Sequence, residues 1–148
     1  MTVSSTPDSS PTSSDSSNTP DEREPKYGER AIADHQFVTF PNPRVGRDYK
    51  VQIVLPEFTC KCPFSGYPDF ATFTLTYTPG PLVVELKSIK LYINSYRDEY
   101  IPHEEVTNKI LDDIVAAIQP VWAHIKGDFN PRGNVHTCVE VTYTQPES

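Results

Sequence analysis

Residues 70–77 read Phe-Ala-Thr-Phe-Thr-Leu-Thr-Tyr, and this strict alternation constrains the fold more than any other stretch. Ala71, Phe73, Leu75 and Tyr77 fall on one phase, Thr72, Thr74 and Thr76 on the other. Successive strand side chains point to opposite faces, so the run predicts a strand with one face in a core and one in water. A second β-rich run covers 49–55, and Pro79-Gly80-Pro81 breaks the chain after the pair.

The period then changes. Ile89, Tyr92, Ile93 and Tyr96 recur at i, i+3, i+4 and i+7, which predicts an amphipathic helix over 88–96. A second helix is expected from about 103, with Val106, Ile110, Leu111, Ile114, Val115 and Ile118 as its apolar stripe. Pro102 suits its first turn, Glu104 and Glu105 favour the positive end of its dipole, and Pro120 closes it. Two extended runs follow, 122–129 and 135–144, separated by the turn Asn130-Pro131-Arg132-Gly133-Asn134. The order β-β-α-α-β-β implies an α+β layer: one antiparallel four-stranded sheet with both helices on one face. Its two edges must be covered or paired, and pairing them between copies would close a barrel.

Seventeen of the first 20 residues are Ser, Thr, Pro or Asp, and the apolar ones are Met1 and Val3. Such a segment buries too little surface to offset its ordering entropy, so 1–26 is expected to be a disordered Ser/Thr/Pro-rich tail. The folded domain is then 27–148, beginning near 27–33. The tail lacks the apolar run and basic start of a signal peptide, and no run elsewhere suits a membrane span. A net charge of -7 makes phosphate backbones poor partners, so no direct nucleic-acid contact is expected. Cys60, Cys62 and Cys138 form an odd set without an export signal, which suggests free thiols in the cytoplasm.

The densest concentration of reactive residues lies between Pro56 and Thr72. Pro63, Gly66 and Pro68 there imply a stiff loop between strands carrying Cys62 and Asp69. An ordinary thiol is only a few per cent thiolate at pH 7, so Cys62 needs a cation, a base or a helix N-terminus to become a nucleophile. Asp69 could take the thiol proton and return it later; the alternative is a buried structural thiol and a turn-capping carboxylate. A zinc set of Cys60 and Cys62 with Cys138 or a histidine departs from the usual C-x2-4-C spacing. His103-Glu104 at a helix start could bind a ligand, Glu104 accepting two N–H groups of a guanine-like edge, or could serve the helix dipole alone. Lys87 and Lys90, three apart at a helix start, could hold the phosphates of a dinucleotide or line a solvated face. Arg132 is a weaker candidate for the same task. No G-x-G-x-x-G occurs.

Together these motifs resemble the single-module NADPH-dependent 7-cyano-7-deazaguanine reductases, the nitrile reductases of queuosine biosynthesis. The resemblance covers about 40–143. It rests on Phe40-Pro41-Asn42, Glu57-Phe58-Thr59, Cys62-Pro63 with Ser65-Gly66 and Pro68-Asp69-Phe70-Ala71-Thr72, Glu85-Leu86-Lys87-Ser88-Ile89-Lys90-Leu91-Tyr92, His103-Glu104 and Phe129-Asn130-Pro131-Arg132-Gly133, in this order. Tyr67 stands where members of that family often carry Gln. The resemblance implies the tunnelling fold, sheets joined into a barrel, a homodecamer of two pentamers, and active sites between subunits. It implies that Cys62 attacks the nitrile carbon to form a thioimide and that Asp69 is its general acid/base. Val84, Glu85, Leu86, His103 and Glu104 would bind the substrate, Lys87, Lys90 and Arg132 would serve NADPH, and no metal would be needed. Two other readings fit the residues less closely: a zinc-dependent cyclohydrolase of the same fold, and a non-catalytic purine-binding oligomer.

Overall fold

The computed structural model describes residues 2–5 and 24–147. The tail expected over 1–26 falls largely outside these residues. The elements run α1 (Tyr27–Ala33), β1 (Thr39–Pro41), β2 (Val51–Lys61), β3 (Pro68–Thr78), β4 (Leu82–Val84), α2 (Leu86–Asn94), α3 (His103–Ile118), β5 (Trp122–Arg132) and β6 (Val135–Thr144). Four of the strands form one antiparallel sheet in the order β2-β3-β5-β6. β1 and β4 make a separate two-stranded ladder. Three-residue strands carry no readable period, which is why these two escape the sequence pattern.

The alternation at 70–77 holds. Ala71, Phe73, Leu75 and Tyr77 are buried, and the threonines between them are half-exposed. The same inward phase reaches back to Asp69, which is only 7% exposed. Phe58, Phe73 and Phe129 pack edge to face at the centre of the core, a geometry that suits the ring quadrupoles. Ile89, Tyr92 and Ile93 of α2 and Val106, Ile110, Leu111, Ile114 and Ile118 of α3 complete it. Tyr96 lies two residues past the end of α2 yet is buried, its hydroxyl 2.7 Å from that of Tyr92. Gly127 lets α3 sit close on β5: a Cβ there would meet Phe73 at 2.8 Å and Thr107 Oγ1 at 3.0 Å.

Two irregularities set which side chains face where. β2 runs past the expected 49–55 because the register shifts between Leu55 and Phe58. Before the shift Ile53 and Leu55 lean inward; after it Phe58 and Cys60 are fully buried. One extra residue at Pro56-Glu57 flips the inward phase, as a bulge must in a period-two element. The second shift separates Phe129 from Arg132. It shortens the expected 130–134 turn to two residues, Gly133 (φ 59) and Asn134 (φ 69), and draws Arg132 into β5. Two central residues at positive φ favour the tight hairpins of twisted sheets, and Gly and Asn are the residues that accept it.

Among the described residues nothing pairs along the outer edge of β6. β2, among the same residues, is bridged on its outer side only at Lys61, by the segment leading into α3. Among the same residues no helix is long and apolar enough to cross a membrane.

Candidate active site

The ends of four elements converge on one cleft. β2 ends at Lys61, whose amide donates to the Glu99 carbonyl (2.9 Å) and whose carbonyl accepts from the Ile101 amide (3.0 Å). That bridge holds the start of α3 beside the loop after β2. The loop closes on itself: the Cys62 amide donates to the Tyr67 carbonyl and the Gly66 amide to the Cys62 carbonyl, both at 2.8 Å. Gly66 has φ +76, a conformation most side chains resist, so this turn needs its glycine. Cys62 is therefore presented on a short rigid loop. Asp69 is not on that loop, as the sequence suggested, but is the second residue of β3, opposite Cys60.

Asp69 is a buried carboxylate with two partners. Its Oδ2 lies 3.1 Å from His103 Nε2 and its Oδ1 lies 2.7 Å from an Arg132 guanidinium nitrogen. A buried carboxylate without such partners would be costly, and the Arg132 charge compensates it. His103 is held flat on the Phe129 ring, with centroids 3.7 Å apart and planes 11° from parallel. The second arm of Arg132 donates to Ser65 Oγ at 3.4 Å, and Ser65 Oγ also accepts from the Tyr67 amide. Ser65 in turn faces Cys62. Hydrogen bonds from the Ser65 side chain, then from the Ser65 and Phe64 main chain, with a smaller contribution from Arg132, lower the Cys62 thiol from its ordinary 9.0 to about 7. At neutral pH a large fraction is thus thiolate, the nucleophilic form.

Cys60 behaves in the opposite way. It is fully buried, its Sγ donates towards the Ile101 carbonyl at 3.8 Å, and burial pushes its thiol up to about 12, with the nearby Asp69 charge adding to the effect. It stays protonated and inert. Cys138 is exposed on β6. The zinc set built on Cys60 and Cys62 is not formed: among the described residues the single cluster of three potential ligands is Asp128, His136 and Cys138.

Cys62, Asp69, His103, Glu104 and Arg132 line this cleft, of about 160 Å³. The remaining expected site residues lie elsewhere on the chain. Val84 is buried in β4. Glu85 caps α2, its carboxylate accepting from the Lys87 (2.8 Å) and Ser88 (2.7 Å) amides. The helix N-terminus expected to receive a phosphate is thus already filled by Glu85. Leu86, Lys87 and Lys90 are exposed. Lys87 borders a groove with Glu85 and Ser88, and Lys90 another with Leu55 and Glu57. Arg132, grouped with the two lysines in the sequence, stands in the Cys62 cleft instead. Ser65 and Phe129 support the cleft through Arg132 and His103, and the sequence alone assigned neither a role although both stand in its motifs. Ser65 follows Cys62 by three residues within one turn, a spacing that was available as a signal.

A four-stranded antiparallel sheet backed by two helices, with a tuned thiol and a buried carboxylate at one end, defines a tunnelling-fold protein bearing a cysteine cleft. The family described as QueF-like protein matches residues 68–148. An NADPH-dependent 7-cyano-7-deazaguanine reductase of Synechocystis sp. is 72% identical over 123 residues, covering 83% of this chain and 90% of that protein. One of the same description from Nostoc sp. is 68% identical over 123 residues, with the same coverage of each. The solved structure of an archaeosine synthase QueF-Like in the apo form aligns with TM-score 0.57 and 21% identity over 68% of this chain and 95% of that one, a likeness of fold. The chain belongs to the QueF-like family.

Proposed function

We propose that this chain reduces the nitrile of 7-cyano-7-deazaguanine to the primary amine, 7-aminomethyl-7-deazaguanine, with NADPH as reductant, in the cytoplasmic pathway to queuosine. The observation that carries the chemistry is the arrangement in one cleft of a thiol lowered to about 7 and a buried carboxylate paired with His103 and Arg132. The identity of the relatives carries the substrate and the reductant.

A nitrile carbon is a poor hydride acceptor. Asp69 takes the Cys62 thiol proton, the sulfur adds to the nitrile carbon as one C≡N π bond breaks, and Asp69 passes that proton to the nitrogen, so that the product is a thioimide. NADPH supplies one hydride at each of two stages. After the first, the C–S bond breaks, Cys62 leaves as thiolate and an imine remains. The second stage converts the imine to the amine, so two hydrides and two protons are consumed in all. Asp69 and Arg132 manage the protons and charge, and His103 sits beside the reacting carbon on its Phe129 platform. Glu104, at the cleft mouth, accepts the N–H groups of the deazaguanine edge.

The reading takes 27–148 as the catalytic domain of a homo-oligomer, a decamer of two stacked pentamers. Three observations support a site shared between copies. A cleft of about 160 Å³ is small against the roughly 300–1,000 Å³ of ordinary ligand sites. Phe64, Tyr67, Phe70 and Tyr100 are all more than half exposed. Among the described residues the outer edge of β6 is unpaired and that of β2 is bridged only at Lys61, which leaves both edges to another chain. The neighbouring subunit then brings Val84, Glu85 and Leu86 to the substrate, with Lys87 and Lys90 for the cofactor phosphates. Neither lysine forms an ion pair among the described residues, so both ammonium groups suit a phosphate.

The test is twofold. Incubation with the nitrile alone should raise the intact mass by one substrate on Cys62, and turnover should oxidise two NADPH per amine. No adduct on the wild-type chain would remove the covalent step, and no NADPH oxidation would remove the reductase.

A further inference from the structure

The sheet face opposite the helices carries a cluster that the cleft does not use. Asp128 of β5 is the direct cross-strand partner of Cys138 of β6, and His136 precedes Cys138 by two residues on the same face. One ligand atom from each lies within 4.8 Å of the other two. His136 Nε2 contacts Asp128 Oδ1 and stands 3.8 Å from Cys138 Sγ. A tetrahedral site with bonds of about 2.0–2.3 Å sets neighbouring ligand atoms about 3.3–3.8 Å apart. The His136–Cys138 spacing already fits, and Asp128 needs only a small side-chain rotation to open its closer contact.

We propose that Asp128, His136 and Cys138 form a binding site for a borderline divalent cation of the zinc class. One nitrogen, one sulfur and one oxygen suit such an ion better than the hard oxygen-seeking cations, and three protein ligands leave a fourth position for water. Binding releases the Cys138 thiol proton to solvent, and His136 ligates through a neutral Nε2. The ion ties β5 to β6 directly before the bulge that turns Arg132 towards Asp69. Asp128, His136 and Cys138 lie outside the lining of the Cys62 cleft, at the same end of the sheet.

Cobalt(II) alone is the probe, titrated into the metal-free full-length chain. The expected result is about one equivalent bound, with a thiolate-to-cobalt charge-transfer band that zinc abolishes by displacement. The band persists in Cys62→Ser and disappears in Cys138→Ser. His136→Gln weakens binding by at least the roughly tenfold that even an outer-shell partner can carry. Absence of the band in wild type, a band that survives Cys138→Ser, or unchanged affinity in His136→Gln would each overturn the site.

Discussion

Ser65→Ala tests how the cleft ionises Cys62. The Ser65 hydroxyl is the largest of the hydrogen bonds that take the Cys62 thiol from 9.0 to about 7. A thiol at about 7 is roughly half ionised at pH 7, whereas one at 9.0 is ionised in about one molecule in a hundred. The main-chain donors and Arg132 remain in the variant, so the shift is partial. A rise of only one unit leaves about one thiol in eleven as thiolate, roughly a fivefold fall. The sign is fixed: the variant should lose reactivity near neutrality and regain it as pH rises towards 9. Alkylation by iodoacetamide, followed by peptide mass between pH 6 and 9, reads Cys62 separately from exposed Cys138, while buried Cys60 should stay unlabelled. NADPH oxidation should show the same displacement of its acid limb, and Ser65→Thr, which keeps the hydroxyl, should restore it. An alkylation midpoint that stays near 7 in Ser65→Ala would refute the role of Ser65.

Arg132→Met leaves the Asp69 carboxylate buried beside His103 without its cation; thermal unfolding should show a loss of roughly 1–3 kcal/mol, with turnover reduced. Gly127→Ala pushes a methyl group into Phe73 and Thr107, and overpacking of this kind should cost about 1–3 kcal/mol in urea unfolding. Glu85→Ala removes the acceptor of two amides at the start of α2, worth about 1 kcal/mol of stability. A rise in KM beyond what that instability explains would place Glu85 at the substrate as well.

The division between sequence and tertiary structure follows the range of each interaction. Periods of two and 3.6 residues express local backbone geometry, so 70–77, the apolar stripe of α3 and the order β-β-α-α-β-β were legible directly. Asp69 was legible in part: it continues the inward phase of Ala71 and Phe73, although the prolines around it point to a loop. The bulge at Pro56-Glu57 was hidden because it breaks the very alternation that reveals a strand, and with it went the burial of Cys60. The five-residue turn shrank to Gly133-Asn134 because strand pairing, a contact between segments, decides where a hairpin closes. Lys87 and Lys90 looked like a phosphate site from spacing alone. The local cap by Glu85 took the helix amides and left only the ammonium groups.

The alternating run at 70–77 therefore determined, unaided, that one sheet with one wet face must exist. The motifs along the chain pointed to its family. What only the tertiary structure decided is which ends meet. Cys62, Asp69, His103 and Arg132 come from the loop after β2, from β3, α3 and β5. Register shifts and the Lys61 bridge bring them into one cleft, and there hydrogen bonds from Ser65 and Phe64, with a smaller share from Arg132, lower the Cys62 thiol to about 7. Hydrogen bonds between residues distant in sequence depend on packing, and packing leaves no period in the chain.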